Sequence, residues 1–131
     1  MNDNASKRIL IVEDDQFLRE FYQELLQAEG YNVDVAPDGE IGSQKVLLGG
    51  YSIVLLDIML PKKDGLQVLR DLKVATPKQA NGPIVVLTNL GQDEVIKQAF
   101  ALGAAGFLIK SAMNPNEVLQ EIKSYLQKSV N

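Results

Sequence analysis

The chain has 131 residues, 46% hydrophobic and 23% charged, with a net charge of −4. That is one ordinary domain, long enough to bury about two thirds of the surface its unfolded chain exposes. It has no cysteine and no histidine, which excludes disulfides, thiolate zinc sites, Ser-His-Asp catalysis and imidazole ligation.

Met1 to Ser6 is polar, lacks the apolar segment of a signal peptide and is expected to be flexible. Ile9 to Val12 is an apolar run too short for a helix and reads as a buried strand. Gln16 to Glu29 places Phe17, Leu18, Phe21, Tyr22, Leu25 and Leu26 on one helical face, with Gly30 set to end the helix. Val33 to Ala36 is a short strand. Gly39 to Leu48 is a weaker helix followed by Gly49 and Gly50. Ile53 to Leu56 is a second buried strand. Asp64 to Ala75 reads as a helix with Asp64 as N-cap and Gln67 three residues on. Thr76 to Gly82 is a polar loop with an Asn81-Gly82 turn signal. Ile84 to Leu87 is a third buried strand. Gln92 to Leu102 is a helix bearing Val95, Ile96, Ala99 and Phe100. The longest apolar stretch, Ala99 to Ile109, is too short to span a bilayer. Phe107 to Ile109 is the last strand. Asn114 caps the final helix, Pro115 suits its first turn and Glu117 stands at the capping-box position. Val118, Leu119, Ile122, Tyr125 and Leu126 form its apolar stripe.

Five strands alternate with five helices, and the strands at Ile9, Ile53 and Ile84 are continuous apolar runs. This implies an α/β fold: a parallel sheet with helices on both faces, in one domain spanning 1–131. Sites in such sheets form beyond the carboxyl ends of the strands. Glu13, Asp14 and Asp15 follow the first strand, Asp57 the third, Thr88 the fourth and Lys110 the fifth. The second strand delivers only Ala36 and Pro37, as suits an edge strand.

Carboxylates within about 5 Å of one another repel by roughly 3 kcal/mol per pair at an effective dielectric near 20. Such a cluster calls for a cation, and oxygen ligands without His or Cys select Mg²⁺ or a similar hard ion. A carboxylate beside bound Mg²⁺ can attack phosphorus, and a hydroxyl and an ammonium nearby can bind the phosphoryl oxygens. Any one of these residues alone would read as a polar strand end or helix cap, and Asp15 does read as a cap. Four strand ends together favour function.

These residues resemble the receiver domain of two-component response regulators, a flavodoxin-like fold. The motifs are Ile9 to Asp15, Leu55 to Gly65, Thr88, and Gly103 to Lys110, and the resemblance runs from about Lys7 to Leu126. It implies a (βα)5 doubly wound sheet of order 2-1-3-4-5. It implies that Asp57 is the phosphoacceptor and that Glu13 and Asp14 are the acidic pair. Mg²⁺ would be held by Asp14, Asp57 and the Met59 backbone carbonyl. Thr88 and Phe107 would be the switch pair, and Lys110 would pair with a phosphoryl oxygen. The phosphoryl group would come from a sensor histidine kinase or a phosphotransfer protein, which supplies the histidine this chain lacks. The resemblance implies a signalling switch, not an enzyme, with only self-directed phosphoryl transfer and autodephosphorylation. A downstream protein would read the face of the fourth helix, fifth strand and fifth helix.

On pattern alone Phe107 reads as a core aromatic, as do Tyr22, Phe100 and Tyr125. Pro61 fixes a bend after Asp57, and Gly65 can take a positive φ there. The chain departs from the family in three ways. Asn89 follows Thr88 where a small residue is usual. Ser111 follows Lys110 where proline, often cis, is usual. Ala105 and Gly106 stand where one branch carries two acidic residues that bridge a dimer. A monomer, or at most a weak phosphorylation-dependent dimer, is expected. So are a cytoplasmic location and no direct contact with nucleic acid or membrane. An aspartate-nucleophile phosphatase of the haloacid dehalogenase type would need a second Asp at Met59. A flavodoxin would not place Glu13, Asp14 and Asp15 in its phosphate loop. The runner-up is a receiver-like interaction module that works without phosphorylation, favoured by Asn89 and Ser111.

Overall fold

Each apolar run becomes a strand, and each amphipathic run becomes a helix that covers it. The computed structural model describes residues 3–89, 91–110 and 112–128. The strands are β1 (Arg8–Val12), β2 (Asn32–Ala36), β3 (Ile53–Asp57), β4 (Ile84–Thr88) and β5 (Gly106–Ile109). The helices are α1 (Gln16–Ala28), α2 (Gly39–Leu48), α3 (Gly65–Val74), α4 (Asp93–Ala101) and α5 (Pro115–Lys128). All strands are parallel, in the order β2-β1-β3-β4-β5. This is the expected doubly wound sheet with β2 at one edge.

Alternation along the strands divides the core in two. Ile9, Ile11, Ile53, Leu55, Val85 and Leu87 pack with Tyr22 and Leu26 of α1 and Ile122 of α5. Leu10, Val12, Val54, Leu56 and Val86 face Val46 of α2, Val68 and Leu69 of α3, and Ala99 of α4. β1, β3 and β4 are buried on both faces, which is why they lack a polar–apolar alternation in sequence, whereas the edge strand β2 is only partly buried and keeps one.

The caps expected from sequence form. Asp15 accepts the Leu18 N–H, Asp64 and Gln67 exchange a capping box, and Asn114 and Glu117 do the same at α5. A 3-10 turn over Asp3–Ser6 precedes β1, and Asn4 donates to the Glu29 carbonyl at 2.6 Å. The Thr76 to Gly82 loop is tied to the α2–β3 turn: Asn81 donates to the Val46 carbonyl and accepts the Tyr51 N–H.

Two apolar positions differ from expectation. Phe17 is 77% exposed, because it stands five and nine residues before the buried Tyr22 and Leu26, about 140° and 180° around the helix from them. Phe100 is also exposed; Ala99 takes the core position on α4, and Phe100 instead meets Phe107 edge-to-face at 6.3 Å. Tyr22 is buried and Tyr125 half-buried, as expected. Among the described residues no helix is long and apolar enough to cross a membrane.

Candidate functional site: an acidic pocket at the carboxyl edge

Parallel register sets the height at which each side chain leaves the sheet. Val12 pairs with Leu56, Asp57 with Leu87, and Thr88 with Ile109. Glu13, Asp57, Thr88 and Lys110 therefore emerge on one edge. Glu13, Asp14 and Asp57 each offer a carboxylate oxygen within 4.8 Å of the others. Glu13 and Asp57 are buried, at 0% and 1% exposure, while Asp14 is exposed.

Lys110 is the counterion. Its Nζ lies 2.6 Å from Asp57 Oδ2 and 2.8 Å from Glu13 Oε1. The second oxygens are held by backbone: Asp57 Oδ1 accepts the Met59 N–H at 3.1 Å, and Glu13 Oε2 accepts the Asp15 N–H at 3.1 Å. Burial pushes the Glu13 carboxyl up to about 7; Lys110 opposes the rise and Asp57 adds to it. Burial also works against the Lys110 ammonium, but hydrogen bonds and charge from Asp57 and Glu13 outweigh it and raise its pKa.

Three carboxylates against one ammonium leave a surplus of negative charge when all are ionised. The donors are all oxygen, and no described side chain donates to the Asp14 carboxylate. Such a set suits a hard divalent cation and is unsuited to a soft one.

Thr88 is buried beside this group, and its Oγ1 donates to the Asn89 carbonyl at 3.2 Å. Phe107 does not enter the core as its pattern suggested. It is 39% exposed and packs on Phe100, because β5 turns its Gly106 and Leu108 inward. The chain bends after Asp57 differently from expectation. Lys62, not Gly65, takes the left-handed conformation, with φ of 67°. Gly65 is needed for proximity: a Cβ there would stand 2.5 Å from the Asp57 carbonyl oxygen. Asn89 is exposed, and Ser111 lies outside the described residues.

One residue at this site escaped the sequence reading. Arg19, one turn into α1, donates through Nη1 to the carbonyls of Glu13 at 2.9 Å and Asp14 at 3.2 Å. The signal was available: a helical side chain leans toward its own N-terminus, so an Arg four residues after the cap reaches back over the preceding loop.

The response regulator receiver domain family model matches residues 9–123. The chain is 38% identical over 122 residues to the transcriptional regulatory protein DltR of Streptococcus agalactiae, covering 93% of this chain and 53% of that protein. It is 33% identical over 128 residues to the chemotaxis protein CheY of Treponema pallidum, covering 95% of this chain and 86% of that one. The chain thus spans about half the length of the transcriptional regulators it matches. Among solved structures, a CheY-like receiver domain protein of Methanospirillum hungatei superposes with a TM-score of 0.81 at 29% identity, covering 94% of this chain and 95% of that one. Motif, topology and matched length agree, and the chain belongs to the response regulator receiver domain family.

Proposed function

We propose that this receiver domain accepts a phosphoryl group on Asp57 from a phosphohistidine protein and thereby switches a protein-binding face. Receiver domains are signalling domains, not classical enzymes. The observation that carries the reading is the buried Asp57 carboxylate, paired with Lys110 at 2.6 Å inside a group of three carboxylates within 4.8 Å. A carboxylate so placed is oriented and next to a group that can neutralise the incoming phosphoryl oxygens.

In this reading an Asp57 oxygen attacks phosphorus while the bond to the donor nitrogen breaks and its electron pair stays with the donor imidazole. The product is an aspartyl phosphate. Asp14, Asp57 and the Met59 carbonyl would hold Mg²⁺, with Glu13 supporting from behind. When bound, Mg²⁺ neutralises charge on the phosphoryl oxygens. Lys110 exchanges a carboxylate partner for a phosphoryl oxygen. Thr88 gives up its hydrogen bond to the Asn89 carbonyl and donates to the phosphoryl group. The space Thr88 leaves admits the Phe107 ring, which separates from Phe100.

That rearrangement alters a groove between α4, β5 and α5 lined by Phe100, Ala105, Phe107, Met113, Glu121 and Tyr125. A downstream protein reads this face. The kinase or phosphotransfer protein, a cytoplasmic location and a monomer that at most dimerises weakly when phosphorylated all belong to this reading. Intact-protein mass spectrometry after incubation with Mg²⁺ and a small acyl phosphate tests it. One added phosphoryl group, absent in Asp57→Asn and without Mg²⁺, supports the reading. No addition to folded protein overturns it in favour of a phosphorylation-independent module, with Asn89 and Ser111 the first residues to revert.

A further inference from the structure

The three carboxylates of the pocket are not held alike. Glu13 is gripped by Lys110 and the Asp15 N–H, and Asp57 by Lys110 and the Met59 N–H. Among the described residues nothing donates to the Asp14 carboxylate. Its place rests on the main chain between β1 and α1. That main chain is tied from outside the loop at two points: the Glu13 N–H donates to the Ala36 carbonyl at 3.1 Å, and the Arg19 guanidinium takes both the Glu13 and Asp14 carbonyls. Arg19 is itself anchored, since its N–H donates to the Asp15 carbonyl at 2.9 Å and Asp15 caps the helix. A guanidinium is planar, permanently charged and able to bridge two acceptors, which a lysine ammonium does less rigidly.

We propose that Arg19 is a positioning residue for the cation site: by clamping the Glu13 and Asp14 carbonyls it fixes the otherwise unheld Asp14 carboxylate where a divalent cation binds. The inference rests on the reading of this pocket as a Mg²⁺ site. It makes a prediction opposite in sign to simple electrostatics. A positive charge beside the pocket repels a dication, so charge alone says that removing Arg19 tightens binding. Positioning says that removing it weakens binding. Outer groups that orient ligands are commonly worth about 10-fold or more in metal affinity.

Mn²⁺ prefers the same oxygen donors as Mg²⁺, and its free form is read directly by electron paramagnetic resonance. Mn²⁺ is titrated into the full chain as wild type, Arg19→Met and Arg19→Lys, with metal-free thermal melts alongside. Arg19→Met is expected to weaken binding about 10-fold while its metal-free melt stays close to wild type. Arg19→Lys, which keeps the charge and one point of contact, is expected to fall between the two. Unchanged or tighter binding by Arg19→Met overturns the inference alone. If Arg19→Met does not fold, Arg19→Lys decides: weaker binding than wild type supports the clamp, and equal or tighter binding overturns it. Wild-type protein that binds no Mn²⁺ overturns the reading of the pocket, and the clamp with it.

Discussion

Removing the pocket's ammonium is the sharpest test of its electrostatics. Lys110→Met keeps most of the side-chain volume and deletes the charge that lies 2.6 Å from Asp57 and 2.8 Å from Glu13. Two buried carboxylates then face each other, with Asp14 beside them, all within 4.8 Å. At that spacing and an effective dielectric near 20, each ionised pair repels by about 3 kcal/mol. The protein has one way out, which is to protonate Glu13. Its folded carboxyl already sits at about 7, raised by burial, against 4.5 as the ordinary value. Between those values the folded state binds more protons than the unfolded state, so this group's contribution to stability falls as pH rises. Lys110 opposes the rise, so its removal carries the window further up. Protonating Glu13 costs about 1.4 kcal/mol per pH unit above its unfolded value. Wild type already bears that cost up to about 7, so the extra loss through Glu13 between pH 5 and pH 8 is capped near 1.4 kcal/mol. We expect Lys110→Met to lose about 1 kcal/mol more at pH 8 than at pH 5, roughly 3 °C in melting temperature. Mg²⁺ should restore more stability to the variant than it adds to wild type. Thermal and urea unfolding followed by circular dichroism, at both pH values and with and without Mg²⁺, reads this. An equal loss at both pH values that Mg²⁺ does not repair would mean that Lys110 matters for packing and not for charge.

Asp34 accepts hydrogen bonds from Tyr51 and Lys45, each at 2.7 Å. Burial resists its ionisation, but these two partners outweigh burial and hold its carboxyl below the usual range. Its stabilisation is therefore present above about pH 4 and lost as pH falls below that. Asp34→Asn should cost about 1 kcal/mol in urea unfolding at pH 7 and much less near pH 2; equal costs would refute the assignment. Lys62→Gly should stabilise the fold by up to about 1 kcal/mol, since only the left-handed backbone strain and a 3.6 Å ion pair from an exposed lysine to the buried Asp38 are lost. A lower melting temperature would show that the Lys62–Asp38 pair outweighs the strain. Gly65→Ala forces its Cβ against the Asp57 carbonyl, so it should cost roughly 2 kcal/mol or more and slow phosphorylation of Asp57; a wild-type melt and rate would refute the close approach.

What the sequence reveals here depends on whether a residue's role is set by its own strand or by a distant neighbour. β1, β3 and β4 were legible because burial on both faces leaves each as an unbroken apolar run, and parallel pairing follows from the alternation with helices. The pocket was legible for the same reason. A parallel sheet brings all its carboxyl ends to one edge, so the residue after each run must share a neighbourhood with the others. Glu13, Asp57, Thr88 and Lys110 could be grouped without knowing any distance. The caps at Asp15, Asp64 and Asn114 are local and were legible too. Periodicity could not show which side of the wide apolar stripe on α1 faces the sheet: Tyr22 and Leu26 do, and Phe17 lies on the far side. Phe100 and Phe107 illustrate the same limit in pairs. Each occupies a position that alone reads as core, and only their mutual contact, across the α4–β5 connection, lets both stay at the surface. The bend after Asp57 inverts the usual rule: glycine suggests a positive φ, yet Gly65 is required by a carbonyl 2.5 Å from where its Cβ would be, and Lys62 takes the positive φ. Positions fixed by long-range proximity carry no local signature. In this protein Gly65 and Phe107 are such positions, whereas Arg19 reaches back only to the loop before its own helix. The pocket's side chains are therefore written in the sequence, whereas the contacts that fix those two residues become visible only once the chain is folded.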